Sequence, residues 1–239
     1  MALFGKLFEK KYCSVCGTEL GVFGKTKLAD GLLCKECAGK LSPYFTGARQ
    51  ATVDQIKEQL AYREQNKQAV AAFAPTRTLG NDTKVYIDED DCKVVVTRAS
   101  NWRSVNPDVF NYDQITGCNY DVDESRDEVT YKDKEGNTKS YNPPRYEYEY
   151  DFYITIFINH PYVSKIRFKL NQNTIERKGS VEYMSAENLA KEICDALTQV
   201  RQGVRDAKAP KTAMQCPHCM ATTVPDENGC CEYCGGALI

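Results

Sequence analysis

Four pairs of cysteines, each with two residues between them, constrain this 239-residue chain more than any other feature. The first two are Cys13-Ser-Val-Cys16 and Cys34-Lys-Glu-Cys37, with 17 residues between the pairs. The last two are Cys216-Pro-His-Cys219 and Cys231-Glu-Tyr-Cys234, with 11 between. Two intervening residues let a tight turn aim both sulfurs at one ion, and the loop then returns a second pair to complete a tetrahedron. A segment of about 25 residues buries too little surface to hold its own shape, so it needs a staple. Structural zinc supplies an apparent ~10–16 kcal/mol in such segments. Disulfides are the competing reading, but in a reducing compartment paired cysteines are more often metal ligands. Cys230 offers a second register, three residues from Cys234. Cys231 is preferred because its gap matches the other three pairs. His218 reads as an exposed residue of a knuckle turn. Each quartet fills all four positions, whereas a catalytic zinc keeps one open. The expected cofactors are therefore two structural Zn²⁺ ions, held by Cys13, Cys16, Cys34 and Cys37 and by Cys216, Cys219, Cys231 and Cys234. Iron in a rubredoxin-like site would use the same donors.

The rest of the chain divides around these quartets. Residues 1–50 form the first cysteine module. Gly17 directly after Cys16 tolerates positive φ, Leu28–Leu33 reads as a turn into the second pair, and Ala38–Ser42 suggests a short helix. Two knuckles, a hairpin and a helix would make a treble-clef-like finger. Residues 51–75 read as a helical connector from about Thr52 to Phe73. Thr52 with Gln55 fits a capping box, and Pro75 ends the run. Val53, Ile56 and Leu60 form an apolar stripe at its start, but Ala61–Gln68 is almost entirely polar. The pattern predicts an exposed strut about 33 Å long, packed mainly at its ends.

Residues 76–208 carry strand signals. Lys84–Asp88 and Cys92–Arg98 flank an acidic turn. Gln114–Val122 and Glu128–Lys132 follow, then Lys139–Tyr141. Over Arg145–Asn159, Tyr146, Tyr148, Tyr150, Phe152, Ile154, Ile156 and Ile158 alternate with polar residues, which is period two with one buried face. Val163–Leu170 alternates likewise. An amphipathic helix from Ser185, its expected N-cap, to Gln202 closes the segment with Ala186, Ala190, Ile193, Leu197 and Val200 on one side. The expected class is α+β: about seven antiparallel strands forming a roll, capped by a C-terminal helix. Ala209 and Pro210 mark a linker, and residues 209–239 form a zinc ribbon.

The stretches MALFGKLFEKKYCSVCG, KLADGLLCKECAGKLSPYF and TVDQIKEQLAYREQN resemble the start of a group of bacterial proteins typical of Firmicutes, which carry an N-terminal zinc finger classed as a domain of unknown function. The tail CPHCMATTVPDENGCCEYCGGALI is similar to a bacterial zinc ribbon, commonly CPNCGA…CEYCGG. Met220 stands where a glycine is usual, which removes no ligand. The order of elements in the middle resembles a pleckstrin-homology-like (PH-like) domain. The resemblance implies that fold and two zinc sites, and carries no activity.

Function is bounded mainly by exclusion. The chain has 31 Lys and Arg against 33 Asp and Glu, so it lacks the basic excess of a general nucleic-acid binder. It has two histidines and no dinucleotide, Walker or nucleophile-elbow motif. Cys92, Cys118 and Cys194 read as buried small hydrophobes. Asp88-Glu89-Asp90-Asp91 reads as a solvated hairpin turn rather than a calcium loop, and Tyr146, Tyr148 and Tyr150 as core or rim. No apolar run reaches membrane-spanning length, and the start lacks a secretory signal, so a cytoplasmic protein is expected. The expected function is a non-enzymatic zinc-binding adaptor or scaffold that recognises another macromolecule, foremost a protein. Residues 1–50, with eight Lys and Arg against four Asp and Glu, leave nucleic-acid or ribosome association through the fingers as the alternative. Leu3, Phe4, Leu7 and Phe8 beside Lys6, Lys10 and Lys11 could touch a membrane surface, though packing against the finger or sheet is the preferred reading.

Overall fold

The computed structural model describes residues 10–21, 24–208, 213–225 and 229–238. The apolar cluster Leu3–Phe8 and the linker Ala209-Pro210 lie outside them. The chain forms two compact units, residues 1–201 and 202–239. No described helix is long and apolar enough to cross a membrane.

The first unit begins with two short hairpins, β1 (Lys11–Tyr12) with β2 (Glu19–Leu20) and β3 (Thr26–Lys27) with β4 (Leu32–Leu33). Helix α1 (Lys35–Gly39) follows, then α2 (Val53–Ala72). α1 starts at the second cysteine pair itself, with Cys34 as N-cap, and not after Cys37 as the Ala38–Ser42 reading had it. α2 carries the expected capping box of Thr52 and Gln55 and ends before Phe73. Two antiparallel sheets come next. Strands β5 (Arg77–Leu79), β6 (Lys84–Asp88), β7 (Lys93–Thr97) and β8 (Val109–Asn111) form a four-stranded meander. Strands β9 (Ile115–Lys132), β10 (Thr138–Ile158) and β11 (Lys165–Lys169) form the second sheet, with β10 central. Helix α3 (Val181–Lys208) follows, and its residues up to 201 close the unit.

Seven strands are thus present in this region, but partitioned differently from the expectation. Gln114–Val122 and Glu128–Lys132 are one strand, Lys139–Tyr141 and Arg145–Asn159 are another, and the short β5 and β8 carried no alternation to announce them. α3 starts at Val181, four residues before Ser185. Ser180 precedes it, and its Oγ accepts from the Tyr183 amide at 3.2 Å. Its stripe is as expected, with Ala190, Ile193 and Leu197 fully buried. Tyr183 reaches across to the rings of Phe152 and Tyr150.

The largest departure is α2. It buries Ile56, Gln59, Arg63, Asn66 and Val70, a stripe stepping three, four, three and four along one side. That is the periodicity of a packed face, but its middle three members are polar. Val70 and Phe73 pack with Trp102 and with Val95 of β7. Val94, Val95 and Val96 are all buried, as expected when both faces of a strand are covered. α2 is therefore no exposed strut. It covers one face of the four-stranded sheet. Two of its three buried polar residues, Arg63 and Asn66, are satisfied at a junction of three segments. Arg63 Nη1 donates to Asp108 Oδ1 at 2.8 Å, and Ser42 Oγ to Asp108 Oδ2 at 2.6 Å. Arg63 also donates to the carbonyls of Lys40 and Asn106. Asn66 Nδ2 donates to the Pro107 carbonyl at 2.7 Å and its Oδ1 accepts from the Val109 amide at 3.0 Å. Arg63 and Asp108 are 7% and 0% exposed as side chains, so this is a buried ion pair whose loss of one partner costs about 3–5 kcal/mol. It ties the finger, α2 and the approach to β8 into one body.

The outer part of the β9–β10 hairpin is a two-stranded ribbon. Tyr150, Phe152, Ile154, Ile156 and Ile158 are buried as the alternation requires, but Tyr146 is 41% exposed. Tyr146 lies under the Arg126 guanidinium, and Tyr148 stacks on Tyr150.

Candidate metal centres

In the finger, Cys13 opens a knuckle. Its amide donates to the Thr18 carbonyl at 2.8 Å and its carbonyl accepts from the Gly17 amide at 2.9 Å. Gly17 holds φ +75° with open space where a Cβ would be. The second pair is not a knuckle of this kind. Cys34 caps α1 and accepts from the Cys37 amide at 3.3 Å, while the Cys34 amide donates to Cys13 Sγ at 3.4 Å. The finger thus has one knuckle, two hairpins and one helix start, where two knuckles were expected. Cys13, Cys34 and Cys37 are buried and Cys16 is exposed.

In the ribbon both pairs form knuckles of the same design. The Cys216 amide donates to Ala221 and the Met220 amide to Cys216; the Cys231 amide donates to Gly236 and the Gly235 amide to Cys231, all at 2.8–2.9 Å. The residue after the second cysteine takes positive φ each time, +64° at Met220 and +69° at Gly235. β12 (Met214–Gln215) and β13 (Thr222–Thr223) pair around the first knuckle. His218 is exposed, and its ring lies against Gly236, where an added Cβ would come within 2.5 Å of Cδ2.

The ligand atoms of Cys13, Cys16, Cys34 and Cys37 all lie within 4.8 Å of one another, as do those of Cys216, Cys219, Cys231 and Cys234. Among the described residues no other set of three or more Cys, His, Asp or Glu side chains converges in this way. Cys231, not Cys230, completes the second set. A tetrahedron with metal–sulfur bonds of about 2.3 Å has sulfur–sulfur edges of about 3.8 Å. The edges Cys16–Cys34, Cys216–Cys234 and Cys219–Cys231 measure 3.7, 3.6 and 3.7 Å. The donors thus stand where a tetrathiolate ion would hold them.

Electrostatics agree. Hydrogen bonds from the Thr18 hydroxyl and amide bring the Cys16 thiol down to about 6. Burial, then contacts with Cys16 and Cys34, push Cys37 well up. In the ribbon burial opposes ionisation of Cys216, but the amides of Cys219 and His218 bring it to about 6. At Cys234 the Gly236 amide favours the thiolate, yet the neighbouring thiols and burial raise it to about 12. Four sulfurs this close cannot all carry charge unless a cation sits between them. A divalent ion removes that conflict and leaves all four as ligands.

The other singled-out residues are placed differently from the reading. Cys92 is exposed in the β6–β7 turn with φ +53°, so it is neither buried nor on a strand. Asp88 is buried and accepts from the Ala74 and Asp91 amides, so only Glu89, Asp90 and Asp91 form the solvated turn. Cys118 and Cys194 are half-buried and meet one another. The sequence reading missed Arg63, Asn66 and Asp108; Arg63 and Asn66 were signalled only by a helical spacing of polar residues, and Asp108, outside any helix, carried no signal.

Residues 11–59 match a family described as a domain of unknown function, DUF4428. The match covers the finger and the first turns of α2, the region that the sequence resemblance pointed to. No curated protein and no solved structure matches the chain.

Proposed function

We propose that the chain is a non-enzymatic adaptor, held in shape by two Zn²⁺ ions, whose partner is a protein. The observation that carries this reading is the saturation of both quartets: four thiols of the chain converge at each centre. A bound Zn²⁺ would have no open position for water or substrate without displacing a ligand. The order of a four-stranded sheet, a three-stranded sheet and a closing helix supports reading residues 76–208 as the PH-like domain. A bacterial, Firmicutes-type, cytoplasmic protein belongs to the same reading, since a reducing compartment keeps such quartets available for metal.

The β9–β10 ribbon favours a protein over a nucleic acid. On one face the register sets Asp123 opposite Asp151 and Asp127 opposite Glu147, with Glu149 between them. Like charges directly opposite are unfavourable to the ribbon itself and repel phosphates. Near the core, Arg167 pairs with Asp121 and Lys169 with Asp151. Further out, Asp127, Glu147 and Glu149 continue the row with no salt bridge among the described residues. The opposite face presents Tyr146, Tyr148 and Arg126, the residue types that dominate protein–protein contact energy.

Metal analysis of freshly purified full-length chain should return two zinc ions per chain. Capture of the full-length chain with crosslinking from its own cells should recover one protein in stoichiometric amount, crosslinked at the ribbon, and Tyr146→Ala with Arg126→Ala should weaken that capture. RNA or DNA binding at low salt that falls steeply as salt rises, with no protein recovered, would replace this reading by the nucleic-acid one.

A further inference from the structure

Outside the metal quartets, two nucleophilic side chains from distant parts of the chain meet. Cys118 lies on β9 and Cys194 on α3, 76 positions apart in sequence, with their sulfurs 3.1 Å from each other. A disulfide bond is about 2.05 Å long, so about 1 Å of approach separates the two thiols from a covalent link. Each sits inside a regular element. Cys118 faces Ile156 in the β9–β10 register, and Cys194 follows the fully buried Ile193. Their proximity is therefore set by the packing of α3 on the three-stranded sheet, which Tyr183 against Phe152 also holds.

We infer that Cys118 and Cys194 are a reversible oxidation site, closed to a disulfide by hydrogen peroxide and reopened by thiols, that staples α3 to β9. Both residues are half-buried, which favours an oxidant as small as peroxide over bulkier ones. The contact with Cys118 lowers the Cys194 pKa, and the same contact together with burial raises that of Cys118. Cys194 is then the attacking thiolate. It takes one oxygen of the peroxide, the O–O bond breaks, and Cys194 becomes a sulfenic acid while hydroxide leaves and collects the proton that Cys194 released. The Cys118 sulfur attacks the sulfenic sulfur, the S–O bond breaks, and the Cys118 proton leaves with the hydroxyl as water. Two thiols and one peroxide yield one disulfide and two waters. The bond closes a long loop of the first unit, which restricts the unfolded chain far more than the folded one.

The test uses the full-length, zinc-loaded chain under graded peroxide, quenched by alkylation and mapped by mass spectrometry, with released zinc followed by a chromogenic chelator. The expected result is a Cys118–Cys194 linked peptide, two hydrogens lighter and reversed by dithiothreitol, at doses that leave both zinc ions bound. The midpoint of thermal unfolding of the first unit should rise by about 5–10 °C. Cys118→Ala should lose the link and instead accumulate a sulfenic acid at Cys194, trapped by dimedone. Full alkylation of both cysteines at doses that already release zinc would overturn the inference. So would a link from either cysteine to Cys92 or to a member of a quartet. The mapping on the unsubstituted chain decides the matter even if the variant fails to fold.

Discussion

The finger around Cys13–Cys37 and the ribbon around Cys216–Cys234 present the same four donors, yet they rest on different foundations. The finger sulfurs share a core with Leu28, Leu33, Leu41, Ala51 and Ile56, flanked by partly buried Val15, Leu20, Phe45 and Leu60. Asp30 Oδ1 accepts from the Val53 amide at the start of α2, and Gly31 is so close to Ser14 and Val53 that an added Cβ would come within 2.6 Å of each. In the ribbon, the buried cluster among the described residues is Cys216, Cys231 and Leu238. Two of those three belong to the cysteine quartet. Burial therefore helps to hold the finger, whereas a bound ion would hold the ribbon nearly alone. The number of cysteines says nothing about how much of a module's stability its ion must supply.

Removing the ions should produce the largest effect and expose this difference directly. Chelation strips both centres, whereas Cys219→Ser removes an apparent ~10–16 kcal/mol from the ribbon alone. Hydrogen exchange should then show loss of all protection over residues 213–238, with protection across β5–β11 and α3 up to residue 201 unchanged. Cys37→Ser should behave otherwise. It should release one zinc and also lower the unfolding midpoint of the first unit, because α2 belongs to both the finger core and the sheet. Unchanged protection of α2 and β7 in Cys37→Ser would make the two modules equivalent and break the comparison.

The next effect down comes from the junction. Arg63→Ala leaves Asp108 charged and buried without its partner and should cost about 3–5 kcal/mol in denaturant unfolding of the first unit. Asp108→Asn should cost less, since the amide oxygen can still accept from Arg63 while its Nδ2 donates to Ser42 Oγ, and the Arg63 charge keeps the Lys40 and Asn106 carbonyls. If the junction joins finger to sheet, Arg63→Ala will also weaken zinc retention in the finger while leaving the ribbon's zinc untouched. Equal zinc release from both sites, in a competition assay against a chelator, would show that the junction does not couple to metal.

How much of this could be read in advance follows the range of each interaction. The quartets, the capping box at Thr52 and the alternation from Tyr150 to Ile158 are local patterns, and each was legible. The polar stripe of α2 was not, because Arg63 and Asn66 are ordinary surface residues until Asn106–Val109, some forty positions on, supplies their partners. The start of α3 was obscured because Val181 and Met184 in its first turn are exposed, so the apolar stripe begins later than the helix. The meeting of Cys118 with Cys194 leaves no trace in spacing at all. The Met220 departure, in contrast, was visible as a missing glycine, and its cost became definable only when its φ was known.

A smaller effect sharpens the account of the buried face. The Gln59 side chain is fully buried, and neither its oxygen nor its nitrogen has a hydrogen-bond partner in the protein. Unlike Arg63 and Asn66, it incurs desolvation with nothing in return. Gln59→Met keeps the length and removes both polar atoms, so it should stabilise the first unit by about 1–2 kcal/mol in urea unfolding. A loss of stability would show that this position meets a polar partner and would revise the contrast with Arg63.

The smallest expected effect separates the knuckles themselves. Gly17, Met220 and Gly235 occupy equivalent positions, each donating its amide to the first cysteine of its pair, and all have positive φ. A left-handed conformation costs an L-residue about 1–2 kcal/mol, and Met220, 65% exposed, recovers little of it by packing. Glycine in turn loses about 0.5–1 kcal/mol more backbone entropy on folding. Met220→Gly should therefore stabilise the ribbon by about 0.5–1 kcal/mol, read as a two- to fivefold tighter hold on its zinc in chelator competition. Gly17→Ala and Gly235→Ala should act in the opposite direction. No atom lies within 4 Å of either Cβ position, so the cost there is conformational alone. Because burial also holds the finger, Gly17→Ala should release zinc less readily than Gly235→Ala for the same strain. Equal losses from the two glycine variants would mean that the finger, like the ribbon, leans on its ion.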